Sequence, residues 1–289
     1  NDDIRRLTSV VCHSLSDVPD IIDTWNEGKV ADVEGYYENA KINRVYVDRV
    51  HVKKAFAEYT AAYNADDPKI KLKIDHTYRV AALCERIAKA AGMCAYDVEL
   101  AWLSGMLHDV GRFEQIKRYN TFSDADSVDH AKFGADLLFK DGLISNFLNG
   151  MVKCTGYKPG ALEDRYDSDG VFLYDRLNKS DMEMLELAIR CHNMYRIPQG
   201  LNRREQAFCN VLRDADKVDI FKVNIDTPLE EIYNTTTEEL MKSNITDEVL
   251  EAFDEEHCIL KAIRRTPADT VIGHVSLAYE LVYDESVRI

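Results

Sequence analysis

The chain has 289 residues, 46% of them hydrophobic, and a formal net charge of −15. That length suffices for one large domain, or one and a half, with a sizeable core. The acidity argues against non-specific DNA or RNA binding, because a polyanion is repelled, and without a run of about 18 uncharged apolar residues no membrane-spanning helix is expected.

The opening NDDIRRLTSV lacks a basic stretch followed by an apolar run, so no signal peptide is expected. Segment 17–50 is poor in helix signals, and NRVYVDRV (43–50) alternates like a short strand. From residue 51 the apolar spacing turns helical. HVKKAFAEYTAAYN (51–64) puts Val52, Phe56, Tyr59 and Tyr63 on one face. A helix over 75–92 repeats Val80, Leu83, Cys84, Ile87 and Ala91 and stops at Gly92, a good C-terminal cap. A third helix over 96–109 carries Val98, Trp102 and Met106 and ends on His108 and Asp109. SVDHAKFGADLLFKDG (127–142) begins at a capping serine, Ser127, and ends at Gly142. Segment 156–179 is rich in Gly, Asp and turn residues and reads as a loop over a site or a small hairpin. Ser180 and Glu183 have capping-box spacing at the head of 180–193, a long helix covers 203–223, and Thr236 with Glu239 forms another capping box. Helices over 246–263 and 274–287 close the chain. The fold expected is all-α.

Seven cysteines (12, 84, 94, 154, 191, 209 and 258) form no C-x-x-C pair and lie mostly in apolar helical patterns. They read as small buried hydrophobes in a reducing, cytoplasmic setting.

The unusual feature is where the polar donors fall. An apolar helical run, Leu100, Leu103, Met106, Leu107, ends in adjacent imidazole and carboxylate, His108 and Asp109. His76, His130 and His192 also sit near helix ends beside apolar faces, and RDADKVD adds Asp214, Asp216 and Asp219 to an apolar run. Taken singly, each is an ordinary cap, a dipole partner or a solvated charge. Together they are costly to bury unless a shared cation offsets the cost, and the mixed N/O set suits Fe, Mn, Zn, Co or Ni, as one or two divalent ions, better than Ca or a bare Mg site.

The order His76, His108-Asp109, Asp216 resembles the H…HD…D signature of the HD-domain metal-dependent phosphohydrolase superfamily. The resemblance covers roughly residues 50 to 225. GMLHDVGR matches the family pattern around HD, and HAKFGADLL (130–138) resembles its next helix. His130 and His192 match the additional histidines of the bimetal branches. The resemblance implies an HD-type helical bundle at 51–225, with a helical extension at 1–50 and a helical C-terminal part at 226–289 packed on it. It implies that His76, His108, Asp109 and Asp216 hold one metal, and that Asp109 bridges to a second completed by His130 and His192. Asp216 is preferred to Asp214 because the family's ligand usually precedes Lys or Arg; Asp214 would orient a ligand histidine from behind. Arg112 stands where many members have Lys, and Arg can clamp phosphate with two hydrogen bonds. The Gly-Tyr-Pro run of cyclic-di-GMP hydrolases is missing, so that activity is not expected.

The implied chemistry is hydrolysis of a small phosphate ester, a nucleotide or dinucleotide, with two cations about 3.5–4 Å apart activating water for in-line attack. Asp109, Arg112 and Lys217 are the catalytic candidates. Arg112, Lys132 and Tyr195 are the substrate-binding candidates, with Lys158, Tyr119, Phe122 and Tyr157 as weaker ones. Two other readings share the ligand order: a di-iron oxygenase of HD type, and a nucleotide-binding regulatory protein without turnover. Self-association is left open.

Overall fold

A computed structural model describes residues 47–64, 66–148, 153–154, 172–173, 179–233 and 235–289. The expected extension at 1–50 therefore lies outside the described residues except for 47–50, where no strand forms. Asp48 instead caps α1 (Arg49–Thr60), accepting from His51 N at 2.9 Å. Helix α2 (Pro68–Ala90) starts a full two turns before the predicted residue 75. Asp67 accepts from Lys69 N at 2.8 Å and Pro68 takes the first helical position, where a missing N–H costs nothing. It ends as the sequence predicts, with Gly92 at φ 74°.

Helix α3 (Ala95–Leu107) is the centre of the core, with residues 100 to 111 all buried. It does not run through the His-Asp pair. Asp109, at φ −106° and ψ 16°, breaks the helix in the sparsely populated bridge region, and the chain resumes as α4 (Val110–Tyr119). Asp129, not Ser127, caps α5 (His130–Ala135), which continues as a π-helical turn, Asp136–Lys140. Ser127 lies before it and donates to Ser123 O. After α6 (Ile144–Leu148), the two-residue strands β1 (Lys153–Cys154) and β2 (Phe172–Leu173) pair antiparallel; the span predicted as loop or hairpin lies almost wholly outside the described residues.

Helix α7 (Lys179–Cys191) already begins before Ser180, so that serine is not its cap. Helix α8 (Arg203–Asp226) starts from an Asn202–Glu205 capping box. Then come α9 (Leu229–Tyr233), α10 (Thr237–Lys242) with the predicted Thr236–Glu239 box, and α11 (Asp247–Asp254). The last two predicted helices are broken. Residues 255 to 260 are not helical, a 3₁₀ turn covers Lys261–Ile263, and α12 (Pro267–Val275) follows. A second 3₁₀ turn, Ser276–Glu280, and α13 (Asp284–Arg288) end the chain. The architecture is all-α, and among the described residues no helix is long and apolar enough to cross a membrane. Cys84, Cys191, Cys209 and Cys258 are free thiols.

Helix α2 packs on α3 and α8, α7 on α5 and α8, and α4 on α5. Two close approaches set the spacing. At Gly105 a Cβ would lie 2.6 Å from the Ala81 Cα, so only glycine lets α3 press its backbone onto α2. At Gly111 a Cβ would meet the Gly134 N at 2.7 Å and the His130 carbonyl, so α4 and α5 touch backbone to backbone. Gly111→Ala is expected to force these helices apart at a cost of about 1–3 kcal/mol, lowering the melting temperature by several degrees. A melting temperature equal to wild type would contradict the backbone contact.

Candidate metal centre

The tight α2–α3 and α4–α5 contacts deliver histidines from four helices or their ends to one place. His76 comes from α2, His108 from the end of α3, His130 from the start of α5 and His192 from the residue after α7, all buried. Their ε nitrogens meet in two pairs: His76 Nε2 to His108 Nε2 at 3.2 Å, and His130 Nε2 to His192 Nε2 at 3.1 Å.

The δ nitrogens explain why. His108 Nδ1 lies 2.8 Å from Gly105 O, and His192 Nδ1 2.7 Å from Ile189 O. His76 Nδ1 lies 2.6 Å from Asp219 Oδ2, and His130 Nδ1 2.7 Å from Asp124 Oδ2. Carbonyl and ionised carboxylate oxygens only accept, so each Nδ1 carries the proton and a neutral ring presents a bare lone pair at Nε2. Facing lone pairs at such distances repel unless a proton or a cation lies between them. Burial pulls His108 down to about 3; burial, then the Arg112 charge, pulls His130 down to about 4, so both rings are neutral near pH 7. His76 differs: burial and Lys73 push it down, but hydrogen bonds to Asp216 and Asp219 outweigh them and raise it.

The carboxylates complete two groups. Asp216 Oδ1 lies 3.2 Å from His76 Nε2 and 3.9 Å from His108 Nε2. Asp109 divides its oxygens. Oδ2 is 3.5 Å from the Nε2 of both His76 and His108, while Oδ1 is 3.5 Å from His130 Nε2 and 3.7 Å from His192 Nε2. Burial raises the Asp109 carboxyl, but Lys73 and the surrounding histidines hold it well below the usual carboxylate range. Its Oδ1 is buried with no hydrogen-bond partner among the described residues. Such an orphaned acceptor costs about 1–3 kcal/mol, and a cation shared with His130 and His192 would satisfy it. The donor set, imidazole with carboxylate, fits divalent transition metals, and the His76–His108–Asp216 and His108–Asp109–His192 groups could each hold an ion.

The centre opens on a cavity of about 440 Å³. Lys73, Arg112, Arg213, Lys217, Lys261 and Arg264 all line it, against Asp109, Asp124, Asp216 and Glu280, so a strongly acidic chain concentrates cations at one place. Arg112 donates through Nη1 to Gln115, Phe122 O and Asp124, while its Nε is buried without a hydrogen-bond partner among the described residues. Tyr195 lines the wall with its hydroxyl donating to Cys258 O at 2.9 Å.

Three expectations need correction. Asp214 orients no histidine. Its oxygens accept from Val282 N, Tyr283 N and Ser286 Oγ at 2.9, 3.0 and 2.7 Å, anchoring the chain's last turn to α8. The i, i+2 offset from Asp216 turns it to the other side of the helix. Lys132 faces solvent and pairs with Asp129 at 2.8 Å, outside the residues that line the cavity. Lys217 lines the cavity, but its Nζ sits 3.4 Å from Glu280 and makes no hydrogen bond among the described residues. Lys158 and Tyr157 fall outside the described residues.

Lys73 and Asp124 escaped the sequence reading, and Asp219 was named there without a role. Lys73 donates to Asp109 Oδ2 at 2.7 Å, and Asp219 and Asp124 hold the outer nitrogens of His76 and His130. Lys73 and Asp219 each sit three residues from a candidate ligand, a spacing that shares a helix face and gave a usable signal. Asp124 lies in a loop and had none.

A family model for the HD domain matches residues 74–222. The chain belongs to the HD domain family. No curated protein and no solved structure matches it. As an HD protein it falls in a superfamily of the metal-dependent phosphohydrolase type, and its His/Asp clusters are compatible with divalent metal.

Asp219→Asn is expected to weaken metal affinity about 10–100-fold, because the amide loosens and mis-orients His76. Asp214→Asn should leave affinity unchanged while lowering thermal stability. Calorimetric metal titration of both variants checks this, and equal affinities for the two would contradict it.

Proposed function

We propose that the protein is a metal-dependent phosphohydrolase acting on a small phosphate ester, with a nucleotide or dinucleotide as the favoured substrate class. The observation that carries this reading is the division of Asp109 between two His/Asp groups at the mouth of a cation-lined cavity. In this reading His76, His108, Asp109 and Asp216 hold one ion, and Asp109, His130 and His192 hold a second. When bound, the ions supply Lewis acidity and activate water for attack on phosphorus.

The chain's own residues do the rest. Asp219 and Asp124 keep the δ protons in place, so that His76 and His130 turn their ε nitrogens inward. Arg112 and Lys73 stand beside Asp109 and supply positive charge for the ester's phosphate oxygens. The apolar wall of Ile220, Ile259, Leu277 and the Tyr195 ring receives the organic part of the ester. Lys217 contributes charge to the cavity rather than proton transfer at the reacting atoms, since it lies by Glu280.

The test is protein loaded with Mn, Co, Ni or Fe(II) and assayed on an aryl phosphate and a nucleotide panel. Metal-dependent phosphate release is expected, falling at least about a hundredfold in His108→Ala. Inactivity across the panel, or a His108→Ala variant as active as wild type, would overturn the reading. Dioxygen consumption by the iron form, coupled to C–C or C–P cleavage, would replace it with the oxygenase.

A further inference from the structure

The cations that line the cavity beyond Lys73 and Arg112 are not explained by a single phosphate at the metal centre. They come from α8, inside the residues matched to the HD family, and from the C-terminal part beyond them. There Arg213, Lys217, Lys261 and Arg264 face one lining carboxylate, Glu280.

Arg213 is accounted for. It donates to the carbonyls of Cys191, His192, Met194 and Tyr195 and to Glu280 at 3.0 Å, fixing the turn that carries His192. Lys217 and Arg264 are not. Lys217 is 7% exposed, and its Nζ is buried with no hydrogen-bond partner among the described residues, 3.4 Å from a Glu280 oxygen already engaged by Arg213. Arg264 donates through Nη2 to Ile259 O at 2.5 Å and Gly273 O at 3.2 Å, its Nε is buried without a partner, and among the described residues no carboxylate pairs with it. A Cβ at Gly273 would come within 2.7 Å of Arg264 Nη1. The glycine thus makes room for a guanidinium against the backbone of α12. Lys217, left with an oxygen it shares with Arg213, and the half-buried Arg264, with no carboxylate, form a site short of negative charge, and burying charge poorly paired is expensive.

We propose that Lys217, Lys261 and Arg264 form a second phosphate-binding subsite at the C-terminal end of the cavity, so that the substrate carries another phosphate beyond the ester held at the metal centre. A phosphate of nearly two negative charges offsets the poorly compensated Lys217 and Arg264, and the exposed Lys261 draws it in. The apolar lining of the cavity, Ile220, Ile259 and Leu277, receives the organic body. The proposal rests on the phosphohydrolase reading for the name of the substrate, but the subsite is measurable without turnover.

The test is calorimetric titration of inorganic phosphate into metal-stripped protein. Wild type is expected to bind it, with affinity about tenfold or more weaker in Lys217→Met, Lys261→Gln and Arg264→Gln and retained in Arg112→Gln. Lys261 is exposed, so its replacement leaves folding intact even if Arg264→Gln does not fold. A wild type that binds no phosphate, unchanged affinity in Lys217→Met and Lys261→Gln, or a loss confined to Arg112→Gln would each overturn the subsite. In the loaded enzyme, substrates with a second phosphate should be preferred in kcat/KM over aryl phosphate, and Lys217→Met should erase that preference. Should no ester be hydrolysed while phosphate binding follows these variants, the subsite stands and the enzyme reading falls. Should aryl phosphate be hydrolysed while phosphate affinity ignores them, the reverse holds.

Discussion

Four imidazoles each give the δ proton to an oxygen that can only accept, and most of the site follows from that constraint. With Gly105 O, Ile189 O, Asp219 and Asp124 fixed as acceptors, ring rotation is locked and the ε nitrogens turn to the same interior point. The ε nitrogens then stand 3.2 and 3.1 Å apart in two pairs, an arrangement that calls for a proton or a cation between them. The buried, unbonded Oδ1 of Asp109 points the same way. The protein has spent folding stability on a set of electron-pair donors, and the natural counterpart is a positive ion.

The break between α3 and α4 is what lets Asp109 serve two groups. Had the helix continued, Asp109 would lie along the same cylinder as His108, and one carboxylate could not turn an oxygen toward the α2 side and another toward the α5 side. The bend is held from both directions. Gly105 lets α3 lie against α2, and Gly111 lets α4 lie against α5, so backbone contact rather than side-chain packing sets the distances between ligand-bearing helices. The C-terminal part takes part as well: Asp214 ties the last turn to α8, and Glu280 reaches Arg213 and Lys217 at the cavity wall.

Much of this was legible from spacing. Histidines beside apolar faces, and an His-Asp pair ending an apolar run, foretold convergence, because burying them separately has no chemical reward. Gly92 and the Thr236–Glu239 box behaved as capping rules require. The errors have physical causes. The start of α2 was missed because its first two turns lie before the apolar repeat from Val80, and only the Asp67–Pro68 cap marks them. Residues 274 to 287 have helical spacing, yet Asp214 draws the amides of Val282 and Tyr283 out of any helix. Asp214 was expected to orient a ligand histidine, but the 100° turn between successive helical residues sends it away from Asp216. Asp124 and Arg264 reach the cavity through tertiary folding alone, so no local pattern announces them.

The central claim is that these donors enclose divalent metal, and cobalt(II) titration of the stripped protein, followed by its visible absorption, tests it most directly. The account predicts ligand-field bands that saturate at one or two ions per chain and are lost or altered when His108 or Asp109 is replaced. A spectrum indistinguishable from free aqueous cobalt, or bands untouched by those replacements, would contradict it.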